Sequence, residues 1–329
     1  MIKLVNRHCI LFLILLLSFP LCAQKSEQGY GDYVEQLKQE AISEGFEVEF
    51  VEQTFADITF YKRAIKADKN QPESKITLDK YLRTRVPDWK VKQAIDLYTQ
   101  HQQVLEKIGE EYGVQPRFIV ALWGNESNFG KIMGNYSVIS ALSTLAYEGR
   151  RETFFKKQLF AALTILQQGH IQKSQFLGSW AGAMGQSQFI PTSFLTYAVD
   201  YDKDGKKDIW SNPKDVFASI ANYLSKEGWD DSITWGRQVR IPADFDLSLA
   251  GLTKSKMKSL SAWQALGVRR YNGADLPNVD LQASLIMPDD EHGRIYLVYS
   301  NFHTLMRWNR STYFGSAVSY LADRIKKGS

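Results

Sequence analysis

One glutamate in an apolar stretch is the first feature of the sequence that could do chemistry. In "ALWGNESNFG", Glu126 follows Trp123 and precedes Phe129. If Pro116 opens a helix, Glu126 shares a face with Ile119 and Trp123, because residues three and four apart are neighbours. Apolar neighbours and the negative end of a helix dipole both raise the pKa of a carboxyl group. A carboxyl that stays protonated near neutral pH can act as a general acid. A structural glutamate at a frayed helix end fits the same pattern.

A second stretch combines glycines with neutral polar residues. In "GSWAGAMGQSQFIPTS", Ser179, Gln186 and Gln188 could bond the hydroxyl and acetamido groups of a sugar. Buried neutral groups discriminate well, because a ligand without the matching group leaves them unpaired. Gly124 and Gly130, in the glutamate segment, would let other backbone or a substrate approach closely. A helix–loop–helix corner with a capping serine explains this composition equally well.

The stretch "DYDKDGKKDIW" has the aspartate spacing of an EF-hand-type calcium loop, with a glycine at the sixth position. The expected ligands are Asp200, Asp202, Asp204, the backbone carbonyl of Lys206, Asp208 through a water, and Asp215. The twelfth position holds Ser211 instead of the usual glutamate, and Asp215 would therefore close the coordination. The ion would be structural, because no open coordination position is evident. A solvated acidic turn balanced by lysines is the alternative.

Several classes of protein are excluded by what the sequence lacks. It contains no H-E-x-x-H, no phosphate-binding glycine loop and no G-x-S-x-G, and its five histidines have no metal or triad spacing. A net charge of +4 is too small for a nucleic-acid-binding face, and no organic cofactor is indicated. Carboxylate chemistry or pure binding remains.

Residues 1–23 read as a secretory signal. A short basic segment, an apolar run and the small Ala23 give this pattern, and the run is too short to span a bilayer. The signal holds both cysteines, Cys9 and Cys22, and the mature chain would therefore have no thiol or disulfide. A lipid anchor at Cys22 is the alternative, which the bulky Leu21 disfavours. We expect an exported protein of the periplasm or cell envelope.

The elements that must position these residues are mainly helical up to about Gly228. The sequence predicts a helix capped by Asp32, and a longer one from a cap at Asp88 to Gly113. Strands are expected in "TWGRQVRIP", "LQASLIMPD" and "RIYLVYS", with a hairpin turn at "PDDEHG" and one helix through "SKMKSLSAWQALGV". The final helix runs from about Thr312. The predicted class is α+β, mainly helical with a small antiparallel β appendage.

Taken together, these segments resemble the lytic murein transglycosylase B family. The likeness runs from about Asp68 to the C-terminal helix. The motifs that carry it, in the same order, are a Gln-Pro-Glu stretch, a Tyr-x-x-x-x-Val segment, "WGNESNFG", "NYSVISALSTLAY", "AGAMGQSQFIPTS", the aspartate loop, "VFASIANYLSKEGW" and "RWNRS". The resemblance implies a lysozyme-like catalytic core, a place in the cell envelope and cleavage of the MurNAc–GlcNAc bond of peptidoglycan.

The resemblance also implies a role for individual residues. Glu126 matches the single catalytic acid of the family. The residues that match its substrate contacts are Ser179, Gln188, Asn309, Trp308 and Tyr81. Trp308 stands where the family often has tyrosine and could stack on a sugar ring, and Asp202 stands where a serine can occur. The aspartate loop matches the family's calcium site.

The domain boundaries follow from the elements and the resemblance. The expected segments are a signal (1–23), an N-terminal helical region (24–112), a lysozyme-like core with the calcium loop (113–229), a small β-containing region (230–300) and a C-terminal helical segment that returns to the core (301–329). The expected partners are the glycan strands of peptidoglycan, other cell-wall enzymes remain open, and a monomer without nucleic acid is expected.

The implied reaction needs one carboxylate. Glu126 would protonate the glycosidic oxygen and then take the proton from the C6 hydroxyl of the same MurNAc, which forms a 1,6-anhydro product. No second carboxylate is evident near "WGNESNFG", whereas ordinary glycosidases generally use two. A muramidase-type hydrolase stays open as an alternative, as does a non-catalytic peptidoglycan-binding protein.

Overall fold

The computed structural model describes residues 27–69 and 76–328. The predicted signal, with Cys9 and Cys22, and the Gln-Pro-Glu stretch at 71–73 lie outside the described residues. The helices are α1 (Tyr30–Ser43), α2 (Val48–Phe55), α3 (Lys62–Lys69), α4 (Leu78–Arg85), α5 (Asp88–Gln100), α6 (Gln102–Tyr112), α7 (Pro116–Ser127), α8 (Val138–Glu148), α9 (Glu152–Gln167), α10 (Pro191–Tyr197), α11 (Pro213–Lys226), α12 (Leu260–Ala265), α13 (Ser300–Trp308) and α14 (Thr312–Gly328).

The first helices differ from the prediction at their starts. Asp32 and Asp88 each lie inside the first turn of a helix, and the predicted caps are therefore wrong. Their negative charges still interact favourably with the positive end of the helix dipole. The helix predicted from Asp88 to Gly113 is two helices, because the backbone of His101 leaves helical geometry between α5 and α6. Gly113 ends α6 as predicted, with a left-handed φ of 63°.

Helix α7 is the central element of the helical body. Its residues from Phe118 to Gly124 are all buried, and α5, α6, α11 and α14 pack around it. A helix that is apolar on every side belongs in a core, and the sequence of α7 is apolar for two full turns. Pro116 is its first residue, as predicted, where the missing N–H has no partner to lose. The segment that ends in Glu126 is therefore held from several sides.

The strands form two antiparallel sheets. They are β1 (Tyr136–Ser137), β2 (Leu177–Gly178), β3 (Gly236–Arg240), β4 (Lys258–Ser259), β5 (Arg269–Arg270), β6 (Gln282–Ile286) and β7 (Ile295–Val298). β1 pairs with β2, and the other strands form a sheet in the order β4-β6-β7-β3-β5. The predicted hairpin is confirmed, since β6 pairs with β7 across the "PDDEHG" turn.

The helix predicted through "SKMKSLSAWQALGV" is only partly present. Lys258 and Ser259 form β4 and pair with β6, and α12 covers six residues. Ser259 caps α12 by accepting a bond from the N–H of Ala262. Pairing with β6 therefore outweighs the helix propensity of Lys258 and Ser259. Sequence periodicity does not predict such pairing.

The five-stranded sheet has a buried face on each side. Tyr296 and Val298 pack into the large core of the helical body, whereas Ile295 and Leu297 pack into a second cluster around Trp263. This division follows from the alternation of side chains along a strand. Every helix in the described ranges is too short or too polar to cross a bilayer. The predicted α+β class, mainly helical with a small antiparallel sheet, is confirmed.

Candidate active site

Glu126 lies in the last turn of α7, where the helix stops abruptly. Asn128 and Phe129 both have positive φ angles, of 50° and 59°. Two successive non-glycine residues in this region store strain, which functional sites often do. The ring of Phe129 folds back until it would lie 2.6 Å from a Cβ atom on Gly124. The close approach expected at Gly124 is thus made by Phe129.

The carboxyl group of Glu126 is half-buried and receives one hydrogen bond. Trp308 Nε1 donates to Glu126 Oε1 over 2.5 Å, and the two residues are 182 positions apart. Burial raises the pKa of Glu126 to about 7, while the bond from Trp308 and the charge of Arg85 oppose the rise. Removal from water dominates because an ion loses more hydration than one donor replaces. The group is therefore balanced between acid and base near neutral pH.

No second carboxylate influences Glu126 within residues 27–69 and 76–328. The groups that shift its pKa are Trp308 and Arg85, and neither is an acid. Glu148 and Glu152 bond elsewhere: Glu148 pairs with Lys69 at 3.1 Å, and Glu152 accepts from the Tyr33 hydroxyl at 2.8 Å. This arrangement differs from the paired carboxylates of ordinary glycosidases.

Gln186 connects the glutamate helix to the acidic loop. Its Oε1 accepts from Trp123 Nε1 at 2.7 Å, and its Nε2 donates to the carbonyl of Trp210 at 2.8 Å. A Cβ atom on Gly130 would lie 2.4 Å from Gln186 Oε1, which explains the glycine there. Both ends of this buried amide are used inside the protein. Gln186 is thus a structural residue, although its sequence context suggested a sugar contact.

Ser179 and Gln188 keep polar atoms that the described residues do not engage. Ser179 Oγ accepts from the N–H groups of Ala181 and Ala183, and its own O–H stays available to donate. Gln188 Nε2 donates to the carbonyls of Met133 and Gly185, and Oε1 has no bond of its own. The pair offers a ligand one donor and one acceptor. Both are half-buried.

The C-terminal segment brings Trp308 and Asn309 to this region. The Trp308 ring packs against Phe189 at 5.3 Å and Tyr223 at 4.6 Å between centroids. Its indole N–H faces Glu126, a contact that the sequence did not predict. Asn309 ends α13, is exposed, and accepts from the N–H of Ser311 through Oδ1. The structure therefore places Trp308 beside Glu126, and Asn309 follows Trp308 in the chain.

Tyr81 lies on α4, and its ring meets Tyr313 edge-on at 5.4 Å. The guanidinium of Arg85, one turn further along, lies 5.8 Å from the centre of the Tyr81 ring. Arg85 acts on Glu126 through its charge, and no spacing in the sequence pointed to it. Helix α4 thus carries the cation that acts on Glu126 and, one turn earlier, the Tyr81 ring, whose contact with a sugar stays a prediction.

The acidic loop gathers three carboxylates. Oxygens of Asp200, Asp202 and Asp204 lie within 4.8 Å of one another. Gly205, at the sixth position, has a φ of 93°, which the sharp turn of an EF-hand loop requires of it. The amides of Asp204 and Gly205 donate to Asp200. Hard oxygen ligands so close together fit Ca²⁺, because a cation offsets their mutual repulsion.

The remaining residues of the predicted set lie around this cluster. Asp215 is fully buried at the start of α11 and accepts from the N–H groups of Tyr201 and Asp208 at 2.8 Å each. Burial raises its pKa to about 6, and the charges of Asp202 and Asp200 add to the rise. Asp208 accepts from the N–H groups of Trp210 and Ser211. Asp208 and Asp215 therefore brace the loop, and their role as ligands, like that of Lys206, stays a prediction.

A cavity of about 460 Å³ lies beside the acidic loop and not at Glu126. Its lining includes Met133, His170, Lys206 and Trp210. Met133 also accepts the bond from Gln188, and the cavity therefore adjoins the small-residue loop. Cavity size does not single out a site, because other surface cavities have similar volumes. The perturbed carboxyl and its donor make Glu126 the candidate site.

Comparisons with known proteins agree with this geometry. A family model described as "Transglycosylase SLT domain" matches residues 29–323. The membrane-bound lytic murein transglycosylase B of Escherichia coli is 33% identical over 238 residues, which cover 71% of this chain. The chain spans 63% of the length of this curated relative.

Solved structures give the same picture. SltB3 from Pseudomonas aeruginosa, in complex with NAG-anhNAM-pentapeptide, matches with a TM-score of 0.87 and 43% identity, covering 91% of this chain and 80% of that one. The Escherichia coli lytic transglycosylase Slt35, in complex with calcium, matches with a TM-score of 0.79 and 26% identity, covering 90% and 93%. The match to Slt35 confirms the expected lysozyme-like fold.

Proposed function

The chain belongs to the transglycosylase SLT domain family, and we propose that it is a lytic transglycosylase that cleaves the MurNAc–GlcNAc β-1,4 bond of peptidoglycan and leaves 1,6-anhydromuramic acid ends. The observation that carries the proposal is Glu126, a half-buried carboxyl with a pKa of about 7 and no acidic partner within residues 27–69 and 76–328. The relative SltB3 binds a fragment that contains an anhydro sugar. Both support a mechanism with one carboxylate.

In the first step Glu126 is the general acid. Trp308 holds Oε1 as an acceptor, because an indole N–H can only donate. The acidic proton therefore belongs on Oε2, and it passes from there to the glycosidic oxygen as the C1–O bond breaks. A pKa near the working pH favours this transfer. The charge that forms on Glu126 is then stabilised by Trp308 and Arg85.

In the second step the same carboxylate is the base. It takes the proton from the C6 hydroxyl of the MurNAc, and the C6 oxygen forms the new bond to C1. The acid is regenerated and no water is consumed. The nucleophile is already part of the substrate, and the attack therefore benefits from proximity. A second carboxylate is not needed, in agreement with the surroundings of Glu126.

The sugar contacts are proposed for five residues, of which Trp308 bonds to Glu126. These are Ser179, Gln188, Asn309, Trp308 and Tyr81. The free hydroxyl hydrogen of Ser179 and the free carbonyl oxygen of Gln188 can pair with the acetamido and hydroxyl groups of the glycan. A ligand without these groups would leave half-buried polar atoms unpaired, which gives selectivity.

Calcium is proposed as a structural ion of the acidic loop. Asp200, Asp202 and Asp204 would hold it, with Lys206, Asp208 and Asp215 completing or bracing the coordination. When bound, the ion neutralises the loop and supplies no chemistry to the glycan. The relative Slt35 has been solved with calcium.

The proposed setting is the cell envelope. The curated relative is described as membrane-bound, and the signal predicted for residues 1–23 leads to the periplasm. The substrate there is the glycan strand, and the protein acts on it as a monomer.

Mass spectrometry of muropeptides released from purified peptidoglycan tests the function. The expected products are lighter by one water molecule than hydrolysed ones, because the anhydro ring replaces the reducing end. Glu126→Gln should release none while it still binds the glycan, and Glu152→Gln, a carboxyl bonded to Tyr33 instead, should act like wild type. Products with ordinary reducing ends would identify a hydrolase. Activity of Glu126→Gln near that of wild type would remove Glu126 from the mechanism.

A further inference from the structure

The turn of the β6–β7 hairpin contacts the start of α4. The carboxylate of Asp289 accepts the N–H of Leu78 with both oxygens, at 2.9 and 3.0 Å. The Tyr313 hydroxyl, from α14, also bonds to Asp289. The first N–H groups of a helix lack partners within it, and a carboxylate there also meets the positive end of the dipole. Thr77 caps α4 through its own side chain, and a residue of the β appendage, 211 positions later than Leu78, bonds the first N–H of the helix.

A second contact joins the same two elements. Arg294 Nε, at the start of β7, lies 2.6 Å from Asp79 Oδ1 in the first turn of α4. Gly293 leaves room for the carboxylate, since a Cβ atom there would lie 2.9 Å from Asp289 Oδ2. Two contacts from one short turn fix both the position and the rotation of the helix start.

Helix α4 transmits this position to the candidate site. It has only eight residues, and its two ends therefore move together. Tyr81 follows Leu78 by three residues and packs on Tyr313, the same residue that bonds Asp289. Arg85 follows Tyr81 by four residues, stacks on its ring, and acts by its charge on Glu126.

We propose that Asp289 is a positioning residue of the glycan site, which holds α4 where Tyr81 meets the glycan and Arg85 meets Glu126. This inference rests on the proposed function for the role of Tyr81. Besides Arg85 from α4, the only group that acts on Glu126 from the described elements is the Trp308 indole at the end of α13. The carboxylates that act on Tyr313 are Asp289 and Asp290, and the Tyr81 ring packs against it. The β6–β7 turn of the β appendage would then position the residues of α4 at the site.

The adjacent carboxylate provides a matched control. Asp290 is exposed, and its carboxylate accepts the N–H of His292, at 2.8 Å, within its own turn. Asp289→Asn and Asp290→Asn change the net charge equally, but only the first weakens the acceptor of the Leu78 N–H at the start of α4. We expect Asp289→Asn to lower kcat/KM about tenfold, mainly through KM, because small misplacements of binding groups are costly. Asp290→Asn should match wild type.

A second readout distinguishes positioning from stability alone. Release of Arg85 should raise the pKa of Glu126, and the alkaline limb of kcat/KM should therefore move to higher pH in Asp289→Asn. In an Arg85→Gln background, Asp289→Asn should no longer move the alkaline limb of kcat/KM. A lower melting temperature with unchanged KM and an unchanged limb would overturn the inference. If Asp289→Asn does not fold, Asp289→Glu keeps the charge but displaces the oxygens that accept the Leu78 N–H, and an unchanged KM with an unchanged limb there would overturn it too.

The titration of Glu126 itself separates this inference from the proposed function. Its carboxylate band can be followed by infrared difference spectroscopy, with Glu126→Gln as the blank. A higher pKa in Asp289→Asn than in Asp290→Asn supports positioning even if the wild-type protein releases no muropeptide. An equal pKa in the two variants overturns it even if the wild-type protein is fully active.

Discussion

Replacing Trp308 by phenylalanine tests the electrostatic account of Glu126. The change removes the N–H that donates to Glu126 Oε1 at 2.5 Å and keeps an aromatic ring against Phe189 and Tyr223. That bond favours the ionised form, and its loss should raise the pKa of Glu126 above its present value of about 7. The protonated acid would then persist to higher pH.

The size of the shift follows from the bond. A hydrogen bond to a charged group contributes about 1.5–3 kcal/mol, and one pKa unit corresponds to about 1.4 kcal/mol. Trp308 is partly exposed, and water would replace some of the lost bond. The lower end of the range is therefore expected, and the pKa of Glu126 should rise by about one unit.

The assay is kcat/KM against pH for muropeptide release, because its alkaline limb reports the acid of the free enzyme. The limb should move up by about one pH unit in Trp308→Phe, and the plateau should fall because a weaker acid protonates the leaving oxygen less readily. Tyr223→Phe is the control, since it keeps the ring contact with Trp308 and removes only a hydroxyl. A limb that stays in place or moves to lower pH would refute the reasoning.

Two further predictions concern stability. Burial raises the pKa of Glu126 from 4.5 to about 7, and the folded chain therefore binds more protons than the unfolded chain between these values. The free energy of unfolding of the wild type should therefore fall as the pH rises through this window. Glu126→Gln should be more stable than wild type by about 1–3 kcal/mol at pH 8 and equally stable at pH 4. Urea unfolding of both proteins at the two pH values measures this difference. Chelation of calcium should lower the melting temperature without moving the alkaline limb, and Asp202→Asn should abolish this response; identical melting curves with and without chelator would argue against an ion in the loop.

The local features of the site could be read from the sequence. Pro116 marks the start of α7, and counting turns from it places Glu126 on the buried stripe near the end of the helix. The aspartate spacing predicted a cluster of carboxylates, and three of them lie together. Each of these features depends on residues within about a dozen positions, where helix and turn geometry are set by neighbours.

The contacts between distant segments could not be read in this way. The bond from Trp308 to Glu126, the charge of Arg85 and the double use of Gln186 all join residues that no periodicity relates. The overestimated helix around Trp263 has the same cause, because strand pairing at Lys258 was decided by β6. The boundaries of the five expected segments (1–23, 24–112, 113–229, 230–300 and 301–329) stay a prediction.

The distance of 182 residues between Glu126 and its donor has a consequence for the order of events in the life of the chain. Ribosomes make Glu126 first, and Trp308 follows only after 182 further positions have been added. Until α13 and α14 dock beside α7, the carboxyl lacks its indole partner. An unfinished or still unfolded chain would therefore carry the acid without the surroundings that tune it. If the chain has the proposed activity, it would gain the capacity to cut peptidoglycan only once folding is complete.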